Sequence, residues 1–414
     1  MSIETEQREE IKALPEEAST EPFLEELPEA ASEESEEEWA PKTKRPRHGL
    51  LRRILIVLAF LLLTVSLLLV ATTRLLAPED ADGELKETNF LLGELVDVSQ
   101  AEYSYEDMEA DLLALQKNYP LLIRVASAGK SLDGREIYYA DIGEPDAPKQ
   151  IFLSAGIHGR EYMTPLIVMD QLEYYLANYD ALEKDGKSFG ERMKGMAFCI
   201  VPMINPDGVT ISQKGLDGLR SEALREQVLT AYENDKKYGG YDQHYSDLSD
   251  YLVKWKANAR GVDLNRNFGI DGWLELRTGV TYPSSQKYKG ETPNSEPETQ
   301  ALMALTQAQE GLLCSISVHS QGEILYWDCG QTGEVRNQTV ALVETIRGVN
   351  GYRPQDRFVQ ADASYNDWCV LNLGIPSVNI ETGTGSCPLP IEQFEIIRGQ
   401  NLSLWDVLVQ TYNS

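Results

Sequence analysis

Histidine is scarce in this chain: 414 residues contain only His48, His158, His244 and His319. A histidine-based centre therefore has very few positions to draw on. The five cysteines, Cys199, Cys314, Cys329, Cys369 and Cys387, are irregularly spaced, odd in number and form no CxxC pair. That excludes a complete disulfide framework and a cysteine-held metal. Cys199 and Cys314 lie inside apolar runs and are expected as buried free thiols, while a bond among the other three stays open. Positive charge is also in short supply, with 37 Lys and Arg against 66 Asp and Glu and a net charge of -29. Because phosphate contacts supply most of the affinity for nucleic acid, this balance excludes such a partner.

Much of the acid sits at the start. Met1 to Ala40 holds fifteen glutamates against Arg8 and Lys12, the composition of a solvated, disordered segment. Ile54 to Thr73 is the opposite, twenty residues without a charge. At about 1.5 Å rise per residue such a run matches the roughly 30 Å hydrocarbon core of a bilayer. Lys42, Lys44, Arg45, Arg47, Arg52 and Arg53 crowd its N-terminal flank, and acidic residues follow it. The positive-inside rule then puts the N-terminus in the cytoplasm and the rest of the chain outside it. A cleaved signal peptide is the weaker reading, because the charged region is long and the apolar run exceeds a signal core. The expected organisation is an acidic cytoplasmic tail with a basic flank (1–49), a transmembrane helix (50–74), a linker (75–98) and one globular domain (99–414). The tail is open to a cytoplasmic partner.

Within the domain, Tyr105 to Tyr119 carries Met108, Leu112 and Leu115 on one helical stripe, and Pro120 ends it. Apolar runs expected as strands are Ile137–Ile142, Gln150–Ala155, Ala197–Met203, Leu313–Val318 and Ser377–Ile380, with helices near Pro165–Ala177 and Glu298–Gln309. Helices alternating with continuously apolar strands indicate an α/β domain whose sheet is covered on both faces. Four of the strand candidates are followed at once by polar groups: His158 and Glu161, Asn205-Pro206-Asp207-Gly208, His319, and Glu381. Ligands of open α/β sheets bind beyond the carboxyl ends of strands, so these groups are expected along one edge.

In His158-Gly159-Arg160-Glu161 a nitrogen and a carboxylate ligand stand three apart, close enough to reach one ion. His319 supplies a third ligand, and two histidines with one glutamate leave a coordination position open, as in catalytic zinc sites. Such a site needs a base, and Glu381, between an apolar strand and a glycine turn, is the candidate; Glu323 is a weaker rival. His244 falls in an insertion, about Ser212 to Tyr251, rich in Tyr, Asp and Lys and expected at the surface.

Taken in order, His158-Gly159-Arg160-Glu161, Asn205-Pro206-Asp207-Gly208, Gly261 to Phe268, His319-Ser320 and Ile380-Glu381-Thr382-Gly383 resemble the carboxypeptidase A-like zinc peptidases, from about Tyr103 to the C-terminus. The resemblance implies a single domain with a mixed, twisted sheet of about eight strands. It also implies one zinc ion held by His158, Glu161 and His319, with Glu381 as general acid/base in hydrolysis of a C-terminal peptide bond. Asn265 and Arg266 would hold the substrate's free carboxylate, which a planar guanidinium can grip bidentately. Arg160 would add charge along the cleft. The oxyanion-stabilising cation falls to Lys256 or Arg260. The tyrosine that closes over substrate has no match, since Phe358 and Val359 stand at that offset; Tyr365 is the replacement, placed as in bacterial relatives that cut peptidoglycan stem peptides. Asn366 falls at the base of the specificity pocket, where an amide suits a polar or zwitterionic side chain such as diaminopimelate.

Two other functions fit parts of the pattern. One is a deacylase of small acyl amino acids, against which Asn265-Arg266 and the long insertion argue. The other is a non-catalytic module that binds or senses cell wall, whose signature would be a missing ligand or base.

Overall fold

The apolar runs Gln150–Ala155, Ala197–Met203, Leu313–Val318 and Ser377–Ile380 do become strands, and they lie side by side at the centre of the sheet. In the computed structural model the strands are β1 (Ile123–Lys130), β2 (Glu136–Gly143), β3 (Lys149–Ala155), β4 (Met196–Val201), β5 (Leu312–His319), β6 (Ile324–Tyr326), β7 (Arg353–Pro354) and β8 (Ser377–Glu381). They form one eight-stranded sheet in the order β1-β2-β4-β3-β5-β8-β6-β7. β4, β3, β5 and β8 are mutually parallel, β1 meets β2, β2 meets β4 and β6 meets β8 antiparallel, and β7 runs parallel to β6 at the edge. Parallel neighbours deliver their carboxyl ends to one edge, and the register pairs His319 directly with Glu381.

The structure describes residue 91 and residues 93–413, apart from 145, 241–244 and 356–359. The acidic tail, the apolar run of 50–74, His48, His244, Phe358 and Val359 lie outside the described residues. Among the described residues no helix is long and apolar enough to cross a membrane. The described residues belong to one unit, Leu85–Ser414. Its edge reaches into the expected linker: the backbone N–H groups of Glu94, Leu95 and Val96 donate to the Glu173 carboxylate at 2.8, 2.8 and 2.9 Å.

The helices used below are α1 (Tyr105–Asn118), α2 (Met163–Ala177), α3 (Pro206–Lys214), α4 (Glu222–Tyr238), α5 (Leu248–Val253), α6 (Pro297–Gln307), α7 (Gly333–Asn350), α8 (Tyr365–Trp368) and α9 (Leu404–Tyr412). α1 starts at a capping box in which Ser104 and Asp107 satisfy each other's backbone N–H, and it buries Met108, Leu112 and Leu115 as its stripe requires. Alternation along the strands separates the two faces. Ile151 and Leu153 of β3, with Ile316 and Val378, pack under α1, α2, α7 and α9. Phe152, Cys199 and Val201 point the other way, onto Leu264, Phe268, Leu302, Tyr365 and Trp368. All five cysteines are free thiols.

The insertion is more than surface. α4 and α5 enclose a small core of Val228, Ala231, Tyr251, Leu252 and Trp255, and the Tyr251 hydroxyl donates to buried Asp235 at 2.8 Å. That core anchors the segment carrying Lys256. Asn205 ties it to the strand ends: its side chain caps α3 through Gly208 N (2.8 Å) and donates to Ile157 O and Ala257 O, both at 3.1 Å. The loops pack so closely that a Cβ on Gly159 would meet Gly208 O at 2.3 Å, and one on Gly208 would meet Ala257 O at 2.5 Å.

Behind this junction Glu298 of α6 is fully buried. Burial first, and then the charge of Asp207, push its carboxyl up to about 8 from an ordinary value of 4.5. The unfolded chain therefore sheds this proton first as pH rises, so the contribution of Glu298 to stability is full below about pH 4.5 and is lost up to about 8, by at most about 1.4 kcal/mol per pH unit. Glu298→Gln is expected to flatten the decline in urea midpoint between pH 5.5 and 8. An unchanged slope in the variant would assign the decline to another group.

Candidate active site

Three donors converge where β3 and β5 end. His158 Nδ1 lies 2.9 Å from Glu161 Oε1, His319 Nδ1 lies 3.2 Å from Glu161 Oε2, and the two Nδ1 atoms are 3.2 Å apart. Ligands about 2.0–2.2 Å from a shared tetrahedral zinc stand roughly 3.3–3.6 Å from one another, and these slightly closer donors need only spread by a few tenths of an ångström to share the ion. The donor set also fits by chemistry, two imidazoles and a carboxylate. All three side chains are buried, and among the described residues no other His, Cys, Asp or Glu cluster of this kind occurs. Glu161 is braced by Ser320 N at 3.2 Å. Burial raises its pKa, but the opposing charges of His158 and Lys256, with hydrogen bonds from both imidazoles, hold it well below the usual carboxylate range.

Asp263 stands behind His158, with Oδ1 3.4 Å from Nε2 and no exposure to solvent. This carboxylate fixes which imidazole nitrogen faces the ion. Burial opposes its charge, yet the hydrogen bond from His158 and the charge of Arg266 keep it well below its ordinary value. Glu381 ends β8 beside His319. Burial, reinforced by Glu161 and opposed by His319, pushes its carboxyl up to about 7, the range in which a group can both take and return a proton near neutrality.

A cleft of about 390 Å³ opens over these groups, lined by His158, Lys256, Asn265, Arg266, Lys287, Asp362, Asn366, Asn379 and Glu381 among others. Lys256 Nζ lies 3.7 Å from Glu161 Oε1. Arg266 holds Asp362 Oδ2 at 2.7 Å, and Asn265 Oδ1 accepts from Tyr365 N at 2.9 Å.

A family profile described as zinc carboxypeptidase matches residues 108–398. The chain belongs to the M14 zinc carboxypeptidase family. It is 31% identical over 307 residues to gamma-D-glutamyl-L-diamino acid endopeptidase 1 of Lysinibacillus sphaericus, covering 74% of this chain and 72% of that protein. It is 24% identical over 278 residues to carboxypeptidase O of Bos taurus, covering 63% of this chain and 64% of that protein. In fold it is similar to thrombin activatable fibrinolysis inhibitor (TM-score 0.57, 18% identity, 77% of each chain). Carboxypeptidase A from Helicoverpa armigera also shares the fold (TM-score 0.53, 20% identity, 77% of this chain and 74% of that one).

In this zinc peptidase, then, His158, Glu161 and His319 form the metal site, and Lys256, Asn265, Arg266, Asn366 and Glu381 share its cleft. Four other expected positions stand elsewhere. Arg260 pairs with buried Glu296 at 3.2 Å and lines a separate hollow of about 450 Å³ that contains none of the metal donors. Lys256 and Arg260, four residues apart, are separated by a turn in which Gly261 N donates to Asn258 O at 3.0 Å, and of the two Lys256 lines the cleft. Tyr365 is fully buried, its hydroxyl engaged with Thr306 Oγ1 at 2.8 Å and Ser315 Oγ at 3.2 Å, so it forms part of the core and not a cover. The tyrosine that does line the cleft is Tyr326 of β6. Arg160 reaches the Lys254 carbonyl at 3.5 Å and does not line the cleft. Glu323 accepts from Gln400 at 2.9 Å, away from the metal donors.

Sequence reading passed over Asp263, Lys287, Asp362 and Asn379. Asp263 had a usable signal, a carboxylate two residues before the Asn265-Arg266 pair. For a positioning carboxylate of this kind, Asp263→Asn is expected to weaken zinc affinity by about 10–100-fold. Competition with a chelator of known affinity measures it; unchanged affinity would make Asp263 merely structural.

Proposed function

We propose that this zinc peptidase hydrolyses the bond to a residue bearing a free carboxylate, on peptides of the kind found in peptidoglycan stems, including γ-D-glutamyl-diamino acid linkages. The observation that carries the reading is the cleft that brings Glu381, Lys256 and the Asn265-Arg266 pair together with His158, one of the three clustered metal donors. The similarity to an endopeptidase named for γ-D-glutamyl-L-diamino acid bonds supports the choice of linkage.

When bound, zinc supplies a Lewis acid that polarises the scissile carbonyl and lowers the pKa of a water to about 7. Glu381 takes the proton from the attacking water and returns it to the departing amine. Lys256 neutralises the charge that develops on the carbonyl oxygen. Arg266 and Asn265 hold the terminal carboxylate and so set where the chain is cut. Asn366 and Asn379 present amides to the leaving side chain.

The twenty-residue apolar run and its basic flank support a further reading, a single-pass anchor with the catalytic domain outside the cytoplasm. Digestion of purified stem peptides by the full chain in detergent, with products read by mass, tests the activity. Release of the diamino acid, or of a fragment beginning with it, is expected; cleavage of N-acyl amino acids alone would replace the reading by a deacylase. Protease added to intact cells should remove the domain and spare the tail, and a protected domain would overturn the topology.

A further inference from the structure

Cutting beside a free carboxylate needs two fixed positive charges besides the metal, one for that carboxylate and one for the oxyanion. Arg266 and Lys256 fill those roles, yet Lys287 lines the same cleft. Its placement is built into the fold. The residue adopts φ +67, a left-handed conformation uncommon outside Gly, Asn and Asp. Its N–H donates to Asp263 Oδ2 at 2.9 Å, the carboxylate whose other oxygen faces His158. Three residues before it are buried, and the carbonyl of one, Ser285, accepts from Lys256 N at 3.0 Å and Ala257 N at 2.9 Å. One short segment thus fixes Lys256 and Lys287 together beside the metal donors.

Holding a lysine there is unfavourable. Burial, then the charges of Arg266 and Lys256, push its ammonium down to about 8, with Asp263 and Asp362 opposing them only in part. A surface lysine would escape that cost, and an arriving anion would relieve it. Building on the hydrolysis proposed above, we infer that Lys287 binds a second carboxylate of the substrate, close to the scissile bond. Two places on a substrate can carry it. A γ-linked acidic residue supplying the scissile carbonyl keeps its own α-carboxylate, where an ordinary peptide has a neutral amide. Alternatively, the leaving residue carries an acid at the end of its side chain. Either way the cleft selects a dianionic substrate over a common peptide.

Three synthetic substrates test this with the zinc-loaded full chain in detergent. One keeps both extra carboxylates, one has the preceding residue's carboxylate as carboxamide, and one has the leaving side chain's carboxylate as carboxamide. The wild type is expected to lose at least tenfold in kcat/KM on one of the amides, which identifies the source. Lys287→Gln should lose at least tenfold on the parent, mainly through KM, and no longer distinguish it from that amide, and Lys287→Arg should restore the preference. Wild-type rates within twofold on all three, or a preference that survives in Lys287→Gln, would overturn the inference while leaving the hydrolysis intact. So would a Lys287→Gln variant that loses zinc or thermal stability and fails equally on all three substrates, which would make the lysine a packing residue. No turnover of any substrate by the wild type removes the hydrolysis and this inference together.

Discussion

Glu381→Gln is expected to lower kcat/KM by about 10³-fold or more while the purified chain still carries one zinc. The amide keeps the shape of the side chain at the end of β8 but can neither accept the water's proton nor return it, and general acid–base catalysis is worth about 10²–10⁴-fold. Zinc remains because its donors are His158, Glu161 and His319, none of which is altered. Metal content by atomic absorption, measured beside kinetics on a free-carboxylate peptide, separates the two effects. Residual activity near the wild-type level would remove Glu381 from the mechanism. Loss of zinc in the variant would instead make it a ligand.

Arg266→Ala should reduce kcat/KM on free-carboxylate substrates by about 10²-fold or more, because a site built for a charged group loses heavily when one side of the pair is missing. C-terminally amidated versions should already be poor substrates for the wild type, and the substitution should hardly affect them further. The guanidinium also holds Asp362 at 2.7 Å, so the substrate's carboxylate enters an existing ion-pair network. Arg266→Lys, which keeps the charge but loses the planar fork, should recover only part of the loss. Equal turnover of free and amidated peptides by the wild type would end the claim that this cleft measures a chain end.

The metal donors were legible because histidine is so scarce and because each donor follows an apolar run. His158 and His319 could hardly serve elsewhere once His48 and His244 were set aside, and the strand ends then placed Glu381 with them. The central strands were legible for the same reason, being apolar on both faces. β6 and β7, three and two residues long, carry too little pattern to be seen. What stayed hidden depends on how loops fold back. Nothing local tells that Arg260 pairs with Glu296 outside the cleft while Lys256 lines it, or that the Tyr365 hydroxyl finds Thr306 and Ser315 inside the core. Lys287 sits in a polar stretch without periodicity, where only the contact with Asp263 reveals its position. The insertion read as polar surface because its buried residues, Leu224, Val228, Ala231 and Tyr251, are spread thinly over two helices.

Crystals of the zinc-loaded chain, measured on both sides of the zinc absorption edge, test the arrangement most directly. A single anomalous peak is predicted about 2.0–2.2 Å from Nδ1 of His158, Nδ1 of His319 and the Glu161 carboxylate, with Glu381 outside the coordination shell. A peak bound elsewhere, or one that takes Glu381 as a ligand, would contradict the account.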